Sequence, residues 1–226
     1  MRDALKVSLS RIIVRVSNQE SDTRYAAIDK EVSVEIVLKE FLRACAIVAQ
    51  ALEHLSGDLF RKLGKATVLN RNILEVGPDE LPKNVGLVVT SPPYPNAYEY
   101  WLYHKYRMYW LGMDPVMVRE KEIGARPHYF KKNNQTEVDF ERQMSECFCL
   151  LHKILLPEGH VCFLVGSSTI HGRLIDNVAI LRRAAESNGF QTQEVVERHI
   201  PRTRKKFNPV HGSIEKEYLV LFSQHS

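Results

Sequence analysis

Apolar residues recur at helical spacing in several parts of the chain. From Leu5 to Val16, and again over residues 32–56, they return every three or four positions, which is the spacing that places side chains on one face of a helix. The second stretch ends near Gly57, a residue type common at helix ends. The same reasoning predicts further helices at residues 97–111, 138–156 and 174–187. The polar residues between these stretches predict a loop and an irregular insertion, at residues 17–31 and 113–136.

Short apolar runs of a second kind predict strands. Residues 85–90 and 160–166 are continuous apolar runs, typical of strands buried on both faces in a parallel sheet. Further strands are predicted at residues 66–69, 191–200 and 216–223. From residue 66 onward strands alternate with helices, which predicts an α/β fold with a largely parallel sheet and an antiparallel strand at its end. We therefore predict an N-terminal helical segment over residues 1–60 and an α/β part over residues 61–226.

Composition and charge narrow the class of protein. The chain has 226 residues, 44% of them hydrophobic and 26% charged, with a formal net charge of +4, which is typical of a globular protein. No apolar run approaches the roughly 18 residues that a membrane span needs, and the first residues show no secretory signal. Four cysteines are too sparse for a disulfide scaffold, so we expect a cytoplasmic location. The cysteines are predicted to be small buried hydrophobic residues, because their spacing does not suit zinc.

The clearest chemical signal is the sequence Thr90-Ser91-Pro92-Pro93-Tyr94, directly after the first buried strand. In open α/β sheets, ligands bind beyond the carboxyl ends of the strands. The two prolines fix φ and remove two N–H donors, so nearby carbonyl groups stay available to a ligand. Ser91 adds a hydroxyl group and Tyr94 a flat ring. Taken alone, the motif can also be explained as an ordinary turn from a strand into a loop.

The motif and the segments around it resemble the DNA methyltransferases that modify exocyclic amino groups. Those enzymes carry D-P-P-Y, N-P-P-Y or S-P-P-Y after an apolar strand, and the serine form is typical of the cytosine-N4 type. Four further segments are similar to one bacterial branch of this family, namely SNQESDTRYA, NAYEYWLYHKYRMYWLG, LLPEGHVCFLVGSSTIHG and ERHIPRTRKKFNPVHGSIEKEYLVLF. The resemblance implies a Rossmann-like class I methyltransferase sheet and S-adenosyl-L-methionine as the cofactor. It makes residues 61–226 the catalytic part of the methyltransferase domain.

The resemblance also implies roles for the motif, whose residues Ser91, Pro92, Pro93 and Tyr94 are the predicted catalytic residues. The Ser91 side chain and the Pro92 carbonyl would accept the hydrogens of the target amine, and Tyr94 would stack on a base flipped out of DNA. Methyl transfer would then be a direct displacement that depends on positioning. Cytosine N4 is the first choice of target. Adenine N6, an inactive fragment and a non-catalytic nucleic-acid-binding module are the alternatives.

Two further groups of residues are predicted to bind ligands. Contacts to the cofactor are expected from Asn72, Thr90 and Ser91. Contacts to DNA phosphates are expected from a basic cluster in which five cations fall within nine residues, namely Arg198, Arg202, Arg204, Lys205 and Lys206. A solvated loop is the alternative reading of that cluster. The many aromatic residues between Tyr98 and Trp110 are predicted mainly as packing, and no metal site is predicted.

One part of the family's pattern is missing from the sequence. None of the 11 glycines forms a G-x-G pair, and no acidic residue that would hold the cofactor ribose after a second strand can be identified. The family's first strand lies at the centre of the sheet, so its absence predicts unpaired backbone and an exposed apolar face. Two explanations stay open. The chain is the catalytic half of a split enzyme, completed by an N-terminal partner polypeptide that carries the glycine motif, or it is an inactive remnant.

Overall fold

The computed structural model describes residues 1–22, 24–55, 64–96, 98–130, 134–200 and 216–225. The chain forms two compact units, of which the first comprises residues 1–69 and 100–120 and the second comprises residues 70–99 and 121–226. The division predicted between residues 60 and 61 stays a prediction.

The first unit is built around two helices, α1 (Arg2–Val16) and α2 (Val34–Leu55). Both match the helices predicted from apolar spacing, and the N-terminal helical segment is thereby confirmed. Ile12 and Ile13 of α1 are almost fully buried. Two short helices, α3 (Tyr100–Tyr103) and α4 (Lys105–Leu111), complete the unit. The helix predicted over residues 97–111 is therefore interrupted, at His104.

A short hairpin between α1 and α2 corrects the predicted loop at residues 17–31. Its strands are β1 (Gln19–Ser21) and β2 (Arg24–Ala27), which pair antiparallel. The side chain of Gln19 is fully buried, and its Nε2 donates to the backbone oxygens of Ser21 at 2.7 Å and Tyr103 at 3.1 Å. A buried amide needs such partners, and one of them lies far along the chain. The polar composition alone therefore concealed the hairpin.

The predicted irregular insertion at residues 113–136 contains two helices, α5 (Pro115–Lys121) and α6 (Arg126–Phe130). The Asp114 side chain accepts hydrogen bonds from the backbone N–H groups of Val116 at 2.8 Å and Met117 at 3.3 Å. Such a cap, followed by proline at the first helical position, starts a helix without an apolar stripe. Periodicity could not predict α5, because its cap and its first proline lie outside any apolar pattern.

The second unit contains a four-stranded sheet in the order β3–β4–β8–β7. The strands are β3 (Val85–Thr90), β4 (Leu155–Gly166), β7 (Phe190–His199) and β8 (Lys216–Gln224). β3 and β4 are parallel, whereas β8 runs antiparallel to both β4 and β7. The predicted α/β class is confirmed, although the described sheet is less parallel than expected. A small separate hairpin, β5 (Ser168–Ile170) with β6 (Arg173–Ile175), follows β4.

One face of this sheet forms the core with two helices, α7 (Glu137–Ile154) and α8 (Asn177–Glu186). Thr136 and Asp139 form a capping box at the start of α7, and Asp176 caps α8. In both helices a side chain therefore accepts a hydrogen bond from a backbone N–H group of the first turn. α8 starts three residues later than predicted, because residues 173–175 pair in the hairpin instead. At the centre of the core, the Phe148 ring lies 5.2–5.3 Å from three other rings, those of Phe163, Phe190 and Phe222.

The other face of the sheet is open beside β3. Leu87 and Val89 are 60% and 70% exposed, whereas Val88 packs against the core. The prediction that this strand is buried on both faces is therefore wrong. Within the described residues β3 pairs with β4 alone, so its second edge is free. An unpaired edge and an exposed apolar face are the two features expected from the sequence, which lacks the family's glycine pattern.

Residues 66–69 do not form the predicted strand. They are extended without strand pairing, and Val68 is 91% exposed. A strand needs a neighbour to satisfy its N–H and C=O groups, and the described part of the chain offers none to this segment. Local β propensity is therefore not enough here.

The cysteines are less buried than predicted. Cys149 is exposed, and Cys45, Cys147 and Cys162 are half-buried. Cys147 and Cys149 lie two positions apart on α7, and positions two apart in a helix point to different sides. The prediction of burial is therefore wrong for Cys149.

We expect iodoacetamide at pH 8 to alkylate Cys149 well before Cys147. Burial, with a smaller contribution from Glu146, raises the pKa of the Cys147 thiol to about 11, so its reactive thiolate is scarce at that pH. Peptide mass spectrometry over a time course measures both rates, with urea-unfolded protein as the control. Equal rates in the folded protein would contradict the described orientation of α7.

The described residues include neither a candidate membrane span nor a candidate metal site. Among the helices in those parts of the chain, none is long and apolar enough to cross a membrane. The same residues contain no group of three or more histidine, cysteine, aspartate or glutamate side chains that could hold a metal ion.

Candidate substrate loop after strand β3

The predicted catalytic motif forms a loop at the carboxyl end of β3. Ser91 is exposed, Pro92 is buried, and Pro93 and Tyr94 are half-buried. β3 and β4 are parallel, so their carboxyl ends lie at the same end of the sheet, where ligands bind in open α/β folds. The loop thus exposes one hydroxyl group while its prolines anchor it to the protein.

Asn96 fixes the far end of this loop, which we call the SPPY loop and define as residues 91–96. Its backbone N–H donates to the Gly124 oxygen at 2.9 Å, and its side-chain Nδ2 donates to the Thr169 oxygen at 2.5 Å. Asn96 has φ of 59°, in the left-handed region that asparagine tolerates better than most residues. Two segments distant in sequence therefore hold the loop in place.

Gly124 allows the close approach that this arrangement requires. Its φ is +77°, and a Cβ atom there would lie 3.2 Å from Pro95 Cα and 3.3 Å from the Tyr94 oxygen. Any side chain would thus meet loop backbone and also strain the backbone of residue 124. Sequence reasoning missed both Gly124 and Asn96. The only available signal was an asparagine directly after Pro95, which is typical of turns.

Tyr94 contacts the sheet through its hydroxyl group and its ring. Its hydroxyl group lies 3.5 Å from Glu217 Oε1 on β8, a long separation for an O–H···O hydrogen bond. The other carboxylate oxygen of Glu217 pairs with the Arg198 guanidinium, and these two residues face each other across β7 and β8. The ring also packs against the hydrophobic core. Glu217 was not among the predicted site residues, because only the pairing of β8 brings it to this loop.

The predicted cofactor residues divide into two places. Thr90 ends β3 and is half-buried, directly beside Ser91. Asn72 instead begins a short helical turn (Ile73–Glu75), where its Oδ1 accepts a hydrogen bond from Leu74 N at 3.2 Å. The structure thus gives Asn72 a capping role, and its contact with a cofactor stays a prediction.

The glycines in the described part of the chain do not form a turn that would hold S-adenosyl-L-methionine. No two of them stand one residue apart in the sequence. Gly86, the glycine within β3, would meet no atom within 4 Å if it carried a Cβ, so no close approach of backbone marks a cofactor-binding turn there. Within the described ranges, no glycine turn fits the cofactor, and the binding of an acceptor amine by the SPPY loop stays a prediction.

The basic cluster is only partly described. Arg198 lies on β7 and its guanidinium pairs with Glu217, so part of its charge is already balanced. The other four members, Arg202, Arg204, Lys205 and Lys206, fall outside the described residues. Contact between this cluster and DNA stays a prediction.

Two aromatic residues of the first unit are exposed, although the aromatic residues of this segment were predicted mainly to pack. Tyr109 and Trp110 of α4 are 61% and 69% exposed. Arg107 on the same helix contacts α1, where its Nε donates to the Ser10 backbone oxygen at 3.0 Å. Burial, followed by the charge of Arg107, lowers the pKa of the neighbouring His104. The exposed rings therefore project from a helix that polar contacts hold in place.

Comparison with known proteins gives distant likenesses only. No family model matches the chain, and no curated protein matches it significantly. Among solved structures, a proposed DNA modification methylase from Thermus thermophilus, complexed with S-adenosyl-L-methionine, is 18% identical with a TM-score of 0.41, over 69% of this chain and 51% of that one. A proposed methyltransferase from Thermoplasma acidophilum is 9% identical with a TM-score of 0.26, over 65% and 70%. The chain spans about half the length of the Thermus protein, and likeness at this level carries no argument about activity.

Proposed function

We propose that this chain is the acceptor-binding catalytic part of an S-adenosyl-L-methionine-dependent DNA methyltransferase that modifies an exocyclic amine, with cytosine N4 as the first choice. One observation supports the proposal above all. An exposed Ser91 beside a buried Pro92 stands at the carboxyl end of a parallel strand, in a loop whose far end is anchored at Asn96.

The side chains of the SPPY loop suit an amine rather than a carbon or a hydroxyl target. The lone pair of an exocyclic amine is delocalised into the base, so the amine is a poor nucleophile. If the Ser91 hydroxyl and the Pro92 carbonyl each accept one of its hydrogens, the lone pair is freed and aimed away from the loop. This role needs acceptors at fixed positions and no covalent intermediate, and the prolines and Asn96 fix them.

Tyr94 gives the loop a surface for a base. A base in duplex DNA must leave the stack before its amine can reach the loop, and an aromatic ring can then stack on its face. Tyr94 contacts Glu217 through its hydroxyl group and packs against the core, which leaves it half-buried. The positive net charge of +4 and the basic cluster favour a polyanion as the substrate.

The donor side of the reaction needs a contribution from elsewhere. When bound, S-adenosyl-L-methionine supplies an electrophilic methyl group. Because the glycines of this chain do not fit that cofactor, we propose that a partner polypeptide with a glycine-rich motif completes the site. Asn72, Thr90 and Ser91 remain the residues of this chain proposed to reach the cofactor.

The test is methyl transfer by the Ser91→Ala variant. Labelled methyl groups from S-adenosyl-L-methionine are counted in DNA after incubation with this chain and the glycine-motif polypeptide encoded directly upstream. We expect the variant to lose roughly 100-fold or more in kcat, a size typical of removing one fixed polar group at a reacting centre, with unchanged DNA affinity. Ser187→Ala, at an exposed serine that follows α8, is the matched control.

The outcomes separate the alternatives. Nucleoside analysis of the product distinguishes N4-methylcytosine from N6-methyladenine. DNA binding without methyl transfer by either protein form would favour the non-catalytic binding module. Full activity of Ser91→Ala would refute the proposed role of the SPPY loop.

A further inference from the structure

We propose that the free edge of β3, with the open face beside it, is the docking surface for a second polypeptide. This polypeptide adds a strand parallel to β3 and covers the open face with the helix that follows. The inference rests on the proposed function and deepens it, because it assigns the partner a place and a direction.

The two edges of the sheet differ in the way that this proposal requires. Natural edge strands are protected against pairing by charges, prolines and bulges. β7, at one edge, carries Glu194, Glu197 and Arg198, and has an irregularity between Thr192 and Glu194. β3, at the other, has the sequence VGLVVT, without charge or proline. The β7 edge is therefore built to face water, whereas the β3 edge is built like an interior strand.

Two rows of the open face are apolar across neighbouring strands. Register places Val89 beside Cys162 of β4, and Cys162 beside Leu221 of β8. The next row pairs Leu164 with Leu219, which is 39% exposed. The row of Leu87, at the other side, continues into the polar residues His160 and Ser223. Sheets that carry helices on both faces have apolar residues on both sides of their strands, and the rows from Val89 to Leu219 have that composition.

The partner's size follows from the area that a stable complex needs. An interface buries about 800 Å² on each side, and the six residues of β3 offer about 20 Å of strand edge. A strand alone supplies only part of that area. A helix that reaches over β4 as far as Leu164 and Leu219 supplies more, so the occupant is a strand, a turn and a helix rather than a short peptide.

The direction of the added strand explains why the glycine-rich turn would belong to the partner. A strand parallel to β3 ends at the same end of the sheet as Thr90 and Ser91, so the turn into its helix lies beside the SPPY loop. A glycine-rich turn there would supply what this chain lacks. A second copy of this chain would not, because pairing of β3 with itself across a two-fold axis is antiparallel and places the two loops at opposite ends.

The experiment measures binding without cofactor or DNA. The probe is the purified polypeptide encoded directly upstream, titrated calorimetrically into this chain. We expect Leu87→Lys combined with Val89→Lys to weaken binding at least 100-fold. Val138→Lys on α7 combined with Leu174→Lys on β6, at positions 70% and 77% exposed that lie outside the four-stranded sheet, is the matched control and should stay within threefold. Circular dichroism checks that each variant is folded.

Hydrogen exchange on the unaltered chain gives a measurement that no variant can confound. In the complex, the amides of residues 86–90 should exchange more slowly, whereas those of β7 should not change. Undiminished binding by the β3 variant, protection confined to other segments, self-association of this chain through β3, or no binding of the probe would each overturn the proposal.

This design separates the docking surface from the proposed function. A complex that protects β3 but transfers no methyl group would leave the docking surface standing and remove the methyltransferase. If Leu87→Lys combined with Val89→Lys leaves methyl transfer unchanged, the methyltransferase function stands and the docking surface is refuted. Ser91→Ala should bind the probe as tightly as the unaltered chain, because Ser91 lies beyond the paired strand.

Discussion

Replacing Phe148 by alanine is expected to lower the free energy of unfolding by about 3–5 kcal/mol, the usual range for a large aromatic residue in a core. Phe148 is fully buried, and its ring contacts one ring from each of three strands, β4, β7 and β8. Loss of the side chain therefore removes burial and three aromatic contacts together, each worth roughly 0.5–1.5 kcal/mol beyond burial. Urea unfolding followed by circular dichroism measures the change.

The matched control lies on the same helix. Val138 of α7 is 70% exposed, and we expect Val138→Ala to change stability by no more than about 0.5 kcal/mol. The free energy of unfolding of an ordinary domain is about 5–15 kcal/mol, so the Phe148 variant would lose a large share of it. A loss below about 1 kcal/mol would mean that the helix does not pack on the sheet as described.

Gly124→Ala is expected to destabilise the second unit and release the SPPY loop. The left-handed conformation costs alanine about 1–2 kcal/mol, and the new methyl group would press on the backbone of Pro95 and Tyr94 at 3.2–3.3 Å. The hydrogen bond from Asn96 N to the Gly124 oxygen should weaken as the loop moves. Urea unfolding gives the total loss, and hydrogen exchange at the Asn96 amide reports the loop directly.

Gly172→Ala separates the two causes. Gly172 has the same φ of +77°, yet a Cβ there would meet no atom within 4 Å, so its replacement carries only the conformational penalty. We expect the Gly124 variant to lose more stability than the Gly172 variant, and to be alone in speeding exchange at Asn96. Equal losses with no change at Asn96 would show that Gly124 does not support the loop.

Elements stabilised by their own sequence could be predicted. Helices α1 and α2 follow from apolar spacing, and strands β4 and β8 follow from apolar residues that the core then buries. The SPPY loop was found in the same way, because its residues are contiguous and follow a strand. In each case the residues that give the sequence pattern are the residues that form the element.

Features that depend on distant contacts could not be predicted. The β1–β2 hairpin relies on Gln19 reaching Tyr103, and the SPPY loop relies on Gly124 and Thr169. Glu217 reaches Tyr94 only through the pairing of β8. Residues 66–69 show the opposite error, since a local preference for strand is not realised where the described part of the chain provides no neighbouring strand.

The anchoring of the SPPY loop has a thermodynamic consequence. Ordering a flexible backbone costs about 1–2 kcal/mol of conformational entropy for each residue. Here two prolines, the turn at Asn96 and the close approach of Gly124 hold the loop through contacts within the chain itself. Under the proposed function, the energy of binding a base is therefore not consumed in shaping the loop. It remains available for drawing that base out of its stack.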